Sequence, residues 1–272
     1  MNTSVNTPSH QPLLEVAIAV DGKTVSARVG GQGSAIVLFH SLLADGSSFD
    51  LITDALLQTH RVIVLNLPGF GTSDRVDGGL NEVADRVAGA IQALARSEPI
   101  VFLGNGYGGF VALLTAIRNP GLAARLVLAD CGAAFSEPGR AAFRGMSAAA
   151  RDKGLGAIAD VAMRRLFAPE FQQQNPELTD DRKKKFMAVD PETFHGACAA
   201  LASMDLRADL AGVTVPVLVL VGEQDEATPP SMSVELAAGL PQAELMVLPG
   251  CAHVPQLQAP KQFMAAIRSF IL

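Results

Sequence analysis

Ile100-Val101-Phe102-Leu103-Gly104-Asn105-Gly106-Tyr107-Gly108-Gly109 opens with four apolar residues, then carries glycine at four of six positions. It leads directly into a small-residue segment, 110–117, of helical character. A buried strand, a sharp turn and a helix follow from that pattern, and the glycine offsets match the nucleophile elbow, G-x-S-x-G. Small residues are needed there because strand and helix cross closely. The central residue of such a turn takes positive φ and holds its side chain out at the carboxyl edge of the sheet. The first helix amides, that of Tyr107 among them, then point at a developing oxyanion. Here the central residue is Gly106, which has no side chain. A plain glycine-rich β–α turn and a phosphate-binding loop are the competing readings. For the latter, no Lys-Ser/Thr follows the glycines and no ribose-binding acid sits at dinucleotide spacing.

Working outward, short β-branched runs alternate with helical patterns, the signature of βαβ units and a parallel sheet. Residues 14–20 and 24–29 flank Asp21-Gly22, a hairpin signal. Residues 35–39, 62–65, 100–103, 126–129, 217–221 and 244–248 are nearly continuous apolar runs, as in strands buried on both faces. A helix over 82–94 puts Val83, Val87, Ile91 and Leu94 on one stripe. Pro260 opens a last helix with Phe263, Ile267 and Phe270 facing inward. Between Phe135 and Leu210 the strand rhythm stops, and 155–167, 181–189 and 193–203 read as helices. The prediction is an α/β fold with a mostly parallel eight-stranded sheet flanked by helices. A helical cap (135–210) interrupts a core of 13–134 and 211–272, behind a flexible tail over 1–12.

An acid and a base follow the elbow in the order that nucleophilic hydrolysis needs. Asp225 lies just beyond the 217–221 strand, where a carboxylate can orient an imidazole and stabilise its cation; the bland alternative is a surface turn. His253 lies in the loop between the last strand and the last helix, from which a base can reach across to the elbow. Asp130, one strand earlier, is an alternative acid. In His40-Ser41-Leu42, after the 35–39 strand, the Leu42 N–H is the favoured second oxyanion donor and Ser41 the next. His40 reads as structural or as part of the pocket rim. His10, His60 and His195 carry no further signal.

The totals narrow the partners. The chain has 272 residues, a formal net charge of −6 and 49% hydrophobic residues, which fits one large domain with an insertion. A mildly acidic balance gives no footprint for nucleic acid or anionic lipid. The basic run Arg182 to Lys185 follows Asp180 and Asp181 and reads as a solvated helix face. Three cysteines, an odd number without metal-ligand spacing, read as reduced thiols in the cytoplasm. The N-terminus has no secretory pattern, and no apolar stretch reaches the ~18 residues that span a bilayer. The expected partner is a small-molecule substrate, with no metal and no membrane, and self-association as a homodimer is left open.

These segments resemble the α/β-hydrolase superfamily, and within it the 3-oxoadipate enol-lactonase-like group. The resemblance rests on His40-Ser41-Leu42-Leu43-Ala44-Asp45 with Phe49-Asp50, on Asn66-Leu67-Pro68-Gly69-Phe70-Gly71-Thr72-Ser73-Asp74, and on the elbow. In the cap it rests on residues 189–201 with Met204-Asp205-Leu206-Arg207, and it spans about residues 14–272. It implies serine catalysis without cofactor or metal: acylation, then hydrolysis by an activated water. Asn66, Ala252 and Gln258 depart from the pattern where Asp, Gly and Glu are usual. Gly106 departs where the nucleophile belongs.

Glycine at 106 admits four explanations. It is an engineered Ser→Gly knockout, or a natural hydrolase in which His253 and Asp225 drive direct attack by water. Alternatively the His–Asp pair serves non-hydrolytic, cofactor-free lyase or oxygenase-type chemistry, or the protein is a catalytically silent ligand-binding pseudoenzyme. The expected substrate is a small ester, enol-lactone or other carbonyl compound, from aromatic or related catabolism. The pocket is predicted between sheet edge and cap, lined by His40, Tyr107, Phe135, Phe143, Met146 and Phe167, with Arg140 and Arg144 available to a substrate carboxylate.

Overall fold

A computed structural model describes residues 12–95 and 99–272; apart from Pro12, the tail expected over 1–12 lies outside the described residues. Eight strands form one sheet: β1 (Leu14–Val20), β2 (Lys23–Gly30), β3 (Ala35–Phe39), β4 (Arg61–Leu65), β5 (Ile100–Asn105), β6 (Arg125–Ala129), β7 (Val217–Gly222) and β8 (Ala243–Leu248). Their order is β1-β2-β4-β3-β5-β6-β7-β8. β2 runs antiparallel to both β1 and β4, and every pairing from β4 to β8 is parallel. The hairpin turns at Asp21-Gly22, both at positive φ.

The helices are α1 (Asp50–Leu56), α2 (Leu80–Leu94), α3 (Tyr107–Arg118), α4 (Glu137–Lys153), α5 (Ala159–Leu166), α6 (Pro169–Gln174), α7 (Pro176–Met187), α8 (Pro191–Ser203), α9 (Pro230–Gly239), α10 (Pro255–Gln258) and α11 (Pro260–Ile271). Side-chain alternation along β3 divides the core. Val37 and Phe39 pack toward α2 and α3, whereas Ile36 and Leu38 pack with Phe49, Ile52 and Leu56 of the α1 side and Phe263 and Ile267 of α11. Burying a side chain as large as Phe263 stabilises by roughly 1.5–3 kcal/mol, so both faces are needed to hold the central strands.

Two sequence expectations need correction. The 244–248 run reads as a strand buried on both faces, but β8 is the sheet's edge and Leu245, Met246 and Val247 are exposed. An apolar run reports strand propensity and cannot say whether a neighbour covers it. The 155–167 helix begins as a 3-10 turn, Leu155–Ile158, before α5. The helix α4, absent from the sequence reading, carries alanines and arginines in place of a large apolar stripe, and Ala150 is its buried residue. Its termini were the available signal. Ser136 caps Gly139 N–H with Pro in the first turn, and Gly154 at φ 76° ends it. Helices α4 to α8 lie together between β6 and β7 as an insertion over the carboxyl edge of the sheet.

Candidate active site

The sheet's carboxyl edge gathers the polar residues. At the β5–α3 junction Gly106 adopts φ 55° and ψ −123°, a conformation that L side chains rarely take. Its N–H donates to Ala129 O at 3.0 Å, and its carbonyl accepts from Gly109 N–H at 2.9 Å. The crossing is tight: a Cβ on Gly108 would lie 2.1 Å from Phe39 O. The elbow therefore requires glycine at 108 on packing alone.

Asp225 follows β7 in a turn that saturates its carboxylate. Oδ1 accepts the N–H groups of Ala227 (2.7 Å) and Thr228 (3.0 Å). Oδ2 accepts the Thr228 hydroxyl (2.6 Å) and His253 Nδ1–H (2.9 Å). Burial pushes this carboxyl up, but the histidine and Thr228 donors outweigh it and hold it below the usual range. A carboxylate that only accepts fixes the proton on Nδ1, so His253 Nε2 presents a lone pair to the pocket.

The loop bearing His253 is clamped from both sides. Asn105 Nδ2 donates to His253 O at 2.8 Å. Gln258 accepts Ala252 N–H at 2.9 Å and donates to Gly250 O at 2.8 Å, so the glutamine at this position closes the loop on itself. Gln256, fully buried, donates to Asn105 Oδ1 at 3.1 Å.

Asp130 stands apart from the ring. It is fully buried at φ 52°, its Oδ1 accepts Gly222 N–H at 2.8 Å, and its Oδ2 accepts Asn105 Nδ2 at 3.2 Å. Burial and then the Asp225 charge raise its pKa well above the ordinary value. Asp225 takes the histidine, and Asp130 braces the ends of β5 and β7.

The Ser41 hydroxyl lies 3.4 Å from His253 Nε2. A Cβ built on Gly106 would fall 2.6 Å from Ser41 Oγ and 2.7 Å from His253 Nε2. Among the described residues, the N–H groups of Leu42 and Tyr107 have no protein acceptor; Tyr107 opens α3, where amides lack intrahelical partners. Ser41, Leu42, Gly106, Tyr107, Thr228 and His253 together form the floor of one pocket. Phe110, Phe135, Phe143, Met146 and Leu201 supply apolar walls, with the Phe135 ring centroid 5.3 Å from that of Phe110 and 4.8 Å from that of Phe143.

Four residues predicted for the pocket lie elsewhere. Phe167 is fully buried and stacks on Phe171 at 5.1 Å within the insertion. Arg140 donates to Phe135 O at 2.9 Å and to Met204 O at 3.4 Å, tying the two ends of the insertion together. Arg144 pairs with Glu137 at the surface. His40 is fully buried and structural: Nδ1 meets Ser41 O at 3.0 Å, and Nε2 accepts Leu67 N–H at 3.2 Å. Burial lowers its pKa, which suits a neutral ring. The lining cation is instead Arg165, half-buried on α5, whose side chain makes no ion pair or hydrogen bond with another described residue. The basic run is also not a simple solvated face. Arg182 is buried and Lys185 half-buried, and both donate to Ser47 Oγ (3.0 and 2.7 Å), fastening α7 to the loop after β3.

Among the described residues, no group of three or more His, Cys, Asp or Glu is placed to hold a metal ion, and the three cysteines are free and buried. No helix among them is long and apolar enough to cross a membrane.

Comparison with known proteins gives this geometry a setting. The sequence profile of the Alpha/beta hydrolase family matches residues 36–266. The chain is 28% identical over 252 residues to a pimeloyl-[acyl-carrier protein] methyl ester esterase of Photobacterium profundum, covering 89% of this chain and 96% of that protein. It is 24% identical over 254 residues to 3-oxoadipate enol-lactonase 1 of Acinetobacter baylyi, covering 92% and 94%. The solved enol-lactonase from Burkholderia xenovorans superposes with a TM-score of 0.88 at 25% identity, covering 94% of this chain and 99% of that one.

Proposed function

This chain belongs to the Alpha/beta hydrolase family, and from that premise we propose that it hydrolyses a small ester or lactone in the pocket above Gly106. His253 acts as general base and then general acid, oriented by Asp225, while the Leu42 and Tyr107 amides receive the charge developing on the carbonyl oxygen. The observation that carries the reading is the His253 ring. Asp225 holds its Nδ1 at 2.9 Å, and its Nε2 is directed to the pocket floor beside a free helix-terminal amide. A proton acceptor and oxyanion donors at one spot are what acyl transfer to water requires.

The relatives named for an ester and for an enol-lactone support that substrate class. Aromatic and aliphatic walls around a polar floor suit a small, mostly apolar acyl group. Arg165 on the wall favours a substrate that carries a carboxylate away from the scissile bond.

The test compares hydrolysis of 4-nitrophenyl acetate and of an enol-lactone by the protein and by its His253→Ala variant. Loss of a triad histidine elsewhere costs kcat about 10⁶-fold, and a fall of at least roughly 10⁴-fold is expected here. Hydrolysis that persists in His253→Ala would refute the assignment of the base. A protein that binds such esters without turning them over would refute the hydrolase reading and favour ligand recognition.

A further inference from the structure

We propose that Ser41, in the loop after β3, is the nucleophile of this site. The inference rests on the hydrolase reading above. Three observations carry it. First, the Ser41 hydroxyl is 3.4 Å from His253 Nε2, on the side of the ring opposite Asp225. That completes a chain of hydroxyl, imidazole and carboxylate, and such contacts are commonly loose before substrate binds. The other nearby hydroxyl, that of Thr228, is committed to Asp225 at 2.6 Å and lies against Nδ1.

Second, Ser41 Oγ is the nearest atom to the place where a residue-106 side chain would begin, 2.6 Å from the built Cβ. The hydroxyl comes from the neighbouring loop into the space that the elbow leaves vacant, and glycine at 106 is what makes room for it. Third, Ser41 lines the pocket and its backbone is fixed, with its carbonyl accepting Ala44 N–H at 3.2 Å and meeting His40 Nδ1 at 3.0 Å. The residue after it, Leu42, has a free N–H, as the residue after an elbow nucleophile does.

The chemistry balances without any co-reactant beyond water. The Ser41 hydroxyl proton passes to His253 Nε2 as Oγ bonds to the acyl carbon. The acyl C–O bond to the alcohol breaks, and His253 returns that proton to the leaving oxygen; a lactone opens and stays attached. Water then gives a proton to Nε2 and attacks the Ser41 ester. Oγ leaves and takes the proton back, and the acid is released.

The experiment is active-site labelling of the unmodified protein with diethyl 4-nitrophenyl phosphate, read by intact mass and peptide mapping. It is paired with 4-nitrophenyl acetate kinetics for the protein, Ser41→Ala and His253→Ala. The expected result is one diethylphosphoryl group on Ser41, no such label in Ser41→Ala, and kcat/KM lower by at least roughly 10³-fold in both variants. Folding of each variant is checked by its melting temperature, and the labelling result needs no variant. Absence of the label from Ser41, or turnover unchanged in Ser41→Ala while His253→Ala is inactive, overturns the proposal and leaves direct water attack by the same His–Asp pair. A label on Ser41 without ester turnover supports the nucleophile while removing the hydrolase reading.

Discussion

The floor and the walls of the pocket are built on different principles. At and beneath the floor, His253, Asp225, Asn105 and Asp130 are each held by hydrogen bonds to backbone or to one another, at the ends of parallel strands. The walls come from the insertion and α3, and consist of Phe110, Phe135, Phe143, Met146 and Leu201 in apolar contact, with Arg165 as their one charge among the described lining residues. On the proposed function, the difference separates reaction from selection. A proton-transfer pair needs positions fixed to a fraction of an ångström, which rigid strand ends provide. A specificity surface needs shape and one oriented charge, which a helical insertion can vary without disturbing the sheet.

The largest effect expected from testing that contrast lies under the floor. Asp130 is pushed up by burial and by the Asp225 charge. A group with a raised folded-state pKa contributes its stability in full below the unfolded pKa of ~3.9 and loses it as pH rises toward the folded value. Asp130→Asn stays neutral at every pH. Its stability relative to the unmodified protein should therefore climb as pH rises above the unfolded-state value of ~3.9, by up to about 1.4 kcal/mol per pH unit. The depressed Asp225 contributes in the opposite sense, losing stability as pH falls, and does so below that range. Melting temperatures of the two proteins that run parallel across pH would show that Asp130 is not held neutral.

Gly106→Ser comes next in size. Its Cβ would meet Ser41 Oγ and His253 Nε2 at 2.6 and 2.7 Å, at a φ of 55°. The strain of a non-glycine residue in that region is on the order of 1–3 kcal/mol, and denaturant unfolding should show a loss of about that size. Because both crowded atoms belong to side chains, the fold should survive. A serine variant more stable than the parent would mean that the floor is slack, contrary to the bracing described above.

The same contrast explains what the sequence could tell. The elbow, Asp225 and His253 were legible because close crossing, positive φ and the order of acid and base leave traces at fixed offsets. The structure places these residues around one point. Leu42 was legible from its place after a strand. The bracing by Asn105 and Gln256 was not, since their bonds reach partners 148 and 151 positions away. The walls were half legible: Tyr107, Phe135, Phe143 and Met146 line the pocket, while Phe167, Arg140 and Arg144 do not. Helical periodicity says which residues share a face, and says nothing about whether that face meets the sheet or another helix. Arg164 and Arg165 are adjacent in sequence, and only the packing of α5 turns the second toward the pocket.

Arg165 gives the smallest effect and the sharpest separation of walls from floor. Arg165 lines the pocket and its guanidinium makes no ion pair or hydrogen bond with a described residue, so a substrate carboxylate would meet an uncompensated partner rather than displace one. The interaction is formed equally in ground state and transition state because the carboxylate takes no part in bond making. Its loss should then raise KM and leave kcat nearly unchanged. For Arg165→Met, the KM of a 4-nitrophenyl succinate monoester should rise about tenfold, equivalent to roughly 1.4 kcal/mol, while that of neutral 4-nitrophenyl acetate stays put. Equal losses on both esters would make Arg165 a support for the wall. A fall in kcat would mean that the insertion shapes the floor after all, and that reaction and selection are not separate in this fold.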